Sequence, residues 1–177
     1  MRKSNEHKVS EVFLLIPLVL SGFFGGIGFF TLISNNPTVL KMSDVSFAEY
    51  WKHLDSYMAA RMRIFGPLLL LSIFASLFLL YKNYSKTSFW LMLGALFIIL
   101  VDLFISIRVN HPLNQLIQSW DLQHLPANVG DVRDKVVESF YIRSSLMISS
   151  FILVCCAFWQ RYPLAKGIDH HVTLRNM

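Results

Sequence analysis

Few side chains in this sequence are placed to do chemistry, and most of those are cations. Arg61, Arg108 and Arg143 stand at the ends of apolar runs, and Asp102 stands inside one. His53 lies upstream of Arg61, and His111 lies just past Arg108. Fixed guanidinium groups can hold an anionic or phenolate-like oxygen, and a nearby imidazole or carboxylate can take a proton. The catalytic candidates are therefore His53, Asp102 and His111. Tyr50, Tyr57, Arg61, Arg108, Asn110, Asn114, Trp120 and Arg143 are the substrate-binding candidates. The plainer alternative is that the arginines snorkel to the interface and the polar segments form a structural cap.

Metal chemistry has little support. The six histidines form no paired ligand motif. Cys155 and Cys156 are adjacent in an apolar run, and on a helix they diverge by about 100°, so they read as small buried side chains. No metal and no cofactor is expected, with haem or metal ligation by His53 and His111 as a lesser alternative.

The elements that must position these residues follow from composition. Of 177 residues, 54% are apolar and only 15% are charged, against about a quarter charged in soluble domains. Such a chain is neither disordered nor comfortable as a soluble globule. A net charge of +5 fits a membrane protein with basic flanks. A nucleic-acid binder would show a basic stripe and fewer apolar runs. Four runs, 12–33, 64–81, 89–107 and 144–160, approach the ~20 residues that a helix needs to cross a bilayer. The first is too long for the apolar region of a signal peptide and reads as a retained span. The expectation is an all-α, single-domain, four-helix membrane bundle. Helical loops at 34–63 and 108–143 lie on one side, and a polar tail runs from 161 to 177.

Lys and Arg tie between the two sides, but on the side of the termini they crowd short flanking segments with few acids. Both termini are therefore placed in the cytoplasm of a multi-pass protein of the cell or inner membrane. Trp90 and Trp159 would mark the cytoplasmic interface.

The loops are patterned. Phe47, Tyr50, Trp51, Leu54, Met58 and Met62 fall on one helical stripe, which Ser43 or Ser46 can cap. That helix should run into the second span past Pro67. At 100° per residue Arg61 falls within the stripe and Arg63 opposite it. Pro112 opens a short helix that would bury Leu113, Leu116, Ile117 and Trp120. After a break at 126–130, Asp131 can cap a further helix over 132–141. Asp102 within a span costs about 2.5–3.5 kcal/mol without a partner. Arg108 lies about 240° away on the same helix, so Arg61 or Arg143 from neighbouring helices is the better partner. Gly22-x-x-x-Gly26, with Gly25 and Gly28, suits close helix packing.

Three elements carry a family resemblance. They are Tyr57-Met58-Ala59-Ala60-Arg61-Met62 before Gly66-Pro67, Asn110-His111-Pro112-Leu113-Asn114 followed by Trp120, and Arg133 with Arg143. In this order, over about residues 12–160, the chain resembles the anthrone oxygenase family of small four-span membrane proteins, long filed as a domain of unknown function. The resemblance implies a cofactor-independent oxygenase acting on an aromatic, phenolic or quinone-like substrate that partitions into the bilayer. Arg61, Arg108 and Arg143 would hold an oxyanion, and His53, His111 or Asp102 would act as base. The family often carries a Trp and a His or Asn between its last two arginines, where this chain has Val136 and Phe140. The competing expectation is a non-enzymatic membrane protein that binds a lipid or small molecule, or serves as a partner subunit.

Overall fold

In the computed structural model the backbone is described for residues 2–81 and 86–161, and side chains for 14–81 and 86–160. The expected tail past Arg161 and most of the turn before Thr87 lie outside the described residues. The helices are α1 (Arg2–Phe30), α2 (Asn36–Val39), α3 (Asp44–Leu80), α4 (Thr87–Ile105), α5 (His111–Gln118) and α6 (Val129–Arg161). Short π-helical turns, Thr31–Asn35 and Ser106–Asn110, join α1 to α2 and α4 to α5. The result is an all-α bundle. Four continuous rods are long and apolar enough to cross a membrane: Leu14–Val39, Asp44–Leu80, Thr87–Gln118 and Val129–Gln160. These make the chain a multi-pass membrane protein.

The rods outrun the bilayer. The 37 residues of α3 span about 55 Å at 1.5 Å per residue, against about 30 Å of hydrocarbon. Ser43 caps α3 by accepting from the Ser46 backbone N–H at 3.3 Å. Pro67 is accommodated inside α3, as expected. α6 starts at Val129, earlier than expected, and Asp131 sits in its first turn rather than at its cap. A carboxylate there still complements the positive end of the helix dipole.

Two apolar cores result. The bundle core gathers Leu14, Phe24, Leu69, Ile73, Met92 and Ile99 with their neighbours. A second core above it joins Phe47, Trp51, Ile117, Trp120, Val132 and Val136. The loops are thus a packed cap rather than connectors. Leu116 was expected in that cap but is exposed. α5 turns Asn114, Ile117 and Gln118 toward α3, and Leu116 stands about 100° from Ile117 on the side away from Asn114.

Each π turn precedes a proline, Pro37 or Pro112. Proline has no N–H and crowds the carbonyl four residues back. The wider turn relieves that: the Asn36 N–H reaches the carbonyl of Thr31, and the His111 N–H that of Ser106. Both turns place asparagines in the interior, where Asn35, Asn36 and Asn110 are buried.

α6 packs along both α1 and α4, whereas α3 meets each of them over less of its length. The close α1–α6 approach uses Gly25 and Gly28. A Cβ at Gly25 would stand 2.8 Å from Phe151 Cβ, and one at Gly28 would stand 2.9 Å from Met147 Cβ and 3.0 Å from the Ser144 carbonyl. Of the expected glycines Gly25 and Gly28 are the close face, Gly22 would place a Cβ in ordinary contact with Phe151 at 3.5 Å, and Gly26 is the exception. A Cβ at Gly26 would meet nothing within 4 Å.

Candidate functional site

Between the two cores lies a chamber of about 630 Å³, partly open to the outside. The stripe read from the sequence forms one wall, with Tyr50, Leu54, Met58 and Met62 lining it from α3. α1 contributes Phe23, Gly26, Ile27 and Phe30, and α6 contributes Phe140, Arg143 and Met147. The polar lining comes mainly from the π turns and α5: Thr31, Asn35, Ser106, Asn110, His111 and Asn114.

Arg143 is the cation of this chamber, and it is not free. Its Nε donates to Asp102 Oδ1 at 2.8 Å and its Nη2 to Asp102 Oδ2 at 3.2 Å. The Asp102 side chain is 5% exposed and that of Arg143 14%. The guanidinium also lies over the Phe140 ring, 5.1 Å from its centroid. A buried aspartate needs a partner on another helix, and the fork of Arg143 supplies it with two parallel bonds. Nη1 of Arg143 has no partner among the described residues.

A second network closes the cap side. Asn114 accepts from Trp51 Nε1 at 3.0 Å and donates to Asp55 Oδ1 at 2.5 Å. Gln118 donates to the other oxygen of Asp55 at 3.2 Å. Tyr50 donates to Asn35 Oδ1 at 2.5 Å, which leaves the Asn35 amide N–H groups uncommitted among the described residues. Asn110 is 2% exposed and donates to Ser139 Oγ at 2.8 Å.

Several expected site residues stand elsewhere. Arg61 is exposed: it donates to the Tyr57 carbonyl at 2.9 Å and lies over the Tyr57 ring. Tyr57 itself is 63% exposed, and His53 also faces outward. Arg108 is exposed beside the Phe104 ring. Trp120 is buried in the cap against Phe47 and does not line the chamber. An arginine rim therefore does not form. The lining of α3 repeats every four residues, as Tyr50-Leu54-Met58-Met62 and Trp51-Asp55-Ala59. Each such step turns the lining face by about 40°. By residue 61 the inner face has moved away from the angle that Leu54 and Arg61 share.

Of the candidates, Tyr50, Asn110, His111, Asn114 and Arg143 meet at the chamber, and Asp102 stands behind Arg143. Asn35, Asp55 and Met147 also line it and were not singled out as site residues. For Asn35 the available signal was an asparagine two residues before a proline in both long loops, Asn35 before Pro37 and Asn110 before Pro112. Val136 is fully buried in the cap core, and Phe140 faces the chamber with Trp51 edge-on at 5.4 Å. Among the described residues no group of three or more His, Cys, Asp or Glu could hold a metal. No family model, curated protein or solved structure matches this chain.

Proposed function

We propose that the chamber binds a neutral, largely apolar small molecule of the aromatic or quinone-like class. An acceptor oxygen of that molecule would turn toward Arg143 Nη1 and the Asn35 amide. One observation carries this: a chamber of about 630 Å³ with aromatic and methionine walls and few uncommitted donors. Small-molecule sites typically enclose about 300–1,000 Å³ and have this division of apolar wall and sparse polar groups. Asp102 already answers the charge of Arg143, and Asp55 adds a negative charge at the wall. A carboxylate or phenolate would therefore gain less here than a neutral carbonyl. The basic flanks, with Trp90 and Trp159 exposed at the opposite end, support cytoplasmic termini and a chamber on the other side.

The resemblance to anthrone oxygenases supports a second reading, cofactor-independent oxygenation of a phenolic substrate. His111 and Asp55 favour it, because both line the chamber and either could accept a proton from a carbon acid. Arg143 would then stabilise the resulting enolate oxygen without help from Arg61 or Arg108.

Purification in detergent, with mass spectrometry and absorbance of the co-purifying molecules, tests binding. The wild type should carry an apolar, oxygen-bearing molecule that Arg143→Met loses. Equal retention by a folded Arg143→Met protein would refute the site. Oxygen uptake on adding an anthrone, abolished by His111→Gln, would establish the oxygenase reading. No uptake by ligand-competent protein would remove it.

A further inference from the structure

The chamber has a side that faces lipid. A residue that lines a cavity and is also largely exposed stands at its mouth. Phe23 and Phe30 do both, with 63% and 58% exposure. Gly26, between them on α1, lines the chamber and is exposed as well. All three lie within the apolar span Leu14–Val39, at depths where hydrocarbon rather than water would surround them. Across the seam stand Met58, Ala59 and Met62 of α3, the helix that packs least fully against its neighbours. Gly26 has no side chain and Ala59 a single methyl, and a Cβ at Gly26 would meet nothing within 4 Å.

We infer that the chamber is filled from the bilayer, sideways through the α1–α3 seam, so that its ligand is a membrane-dissolved molecule rather than an aqueous one. The inference rests on the small-molecule reading above and adds the phase from which the ligand comes. The lining beside the seam, Phe23, Gly26, Phe30, Met58, Ala59 and Met62, is apolar, as a route for an uncharged ring system requires. His111 is the exposed lining residue on the cap side, so an aqueous entrance there is the alternative.

Gly26→Phe is the decisive variant, because the space beside Gly26 is open and the added ring should not disturb packing. The protein is placed in phosphatidylcholine vesicles with Trp90 and Trp159, both exposed, replaced by Phe. The probe is a decyl-substituted benzoquinone added from donor vesicles, and quenching of the remaining tryptophans, Trp51 at the chamber wall among them, reports occupancy. Expected is saturable quenching whose rate falls by about tenfold or more in Gly26→Phe, well beyond any fall in its plateau, since access then needs the seam to open. Equal rates in the two chains would overturn the lateral route and leave the chamber reading standing. So would slowing by His111→Phe in place of Gly26→Phe. An equal loss of rate and plateau would mean that the ring fills the chamber, which also counts against the route. No saturable quenching in the unblocked chain would refute the chamber reading and the route together.

Discussion

Asp102→Ala should destabilise the protein severely, and Arg143→Met should rescue it. The pair is bidentate, at 2.8 and 3.2 Å, with side chains 5% and 14% exposed. Removing one member of a buried pair typically costs about 3–5 kcal/mol, because the other charge is left uncompensated. Insertion of a lone charge at membrane depth costs about 2.5–3.5 kcal/mol. The two routes agree near 3 kcal/mol for either single substitution. Replacing both members by apolar groups removes both desolvation penalties, so the double variant should lie within about 1 kcal/mol of wild type. At about 2–4 °C per kcal/mol for a chain of this size, each single variant should melt about 6–12 °C early. The assay is thermal unfolding of detergent-solubilised protein, followed by the circular dichroism of the helices, for all four members of the double-mutant cycle. If the double variant loses as much as the two singles together, the charges are solvated separately, and the view of Asp102 as the structural counter-ion of Arg143 fails.

Further outcomes follow from the same geometry. Gly28→Leu should cost about 1–3 kcal/mol by overpacking against Met147 and the Ser144 carbonyl. Gly26→Ala should be neutral or stabilising by up to about 1 kcal/mol, and melting of the two variants side by side checks the contrast. Arg61→Ala and Arg108→Ala should leave the amount of co-purifying ligand unchanged, because both side chains face outward; loss of ligand in either would restore the arginine rim. Asn114→Leu should cost about 1–3 kcal/mol by leaving Trp51 Nε1 and Asp55 without their partner, again read by melting. The carboxyl of Asp121 is held below its usual range by the Gln123 backbone N–H and then by His124. Its lowered value means that the turn's extra stability is present above the ordinary carboxylate range and lost as pH falls through the depressed value. The Gln123 amide resonance should move only at that lower pH.

Much of this architecture was legible because hydrophobic length is a one-dimensional property. Four apolar runs announce four rods, and the stripe from Phe47 to Met62 announces a buried face whatever it packs against. Asp102 was legible too, since a charge in a span must find a partner, and Arg143 was one of two groups able to reach it. Arg61 was misread because an angle on one helix says nothing of how the neighbours cross it. α3 presents four-residue ridges, and its inner face turns as it rises. Leu116 was misread because apolar spacing does not show that polar Asn114, bonded to Trp51, takes the inner face of α5 beside Ile117. The glycine cluster announced the close approach of α1, and Gly22, Gly25 and Gly28 do meet α6, but spacing alone did not show that Gly26 stands open.

By itself the sequence determined the number of rods, the apolar run within each and the scarcity of charge among them. These follow from the cost of burying polar groups in hydrocarbon, which each segment meets on its own. Only the tertiary structure decided which cations face inward, where the cap stops short of the bundle core, and that the gap between them is a chamber. Those are properties of several helices at once, set by tilt, register and close approach, and no single segment carries them.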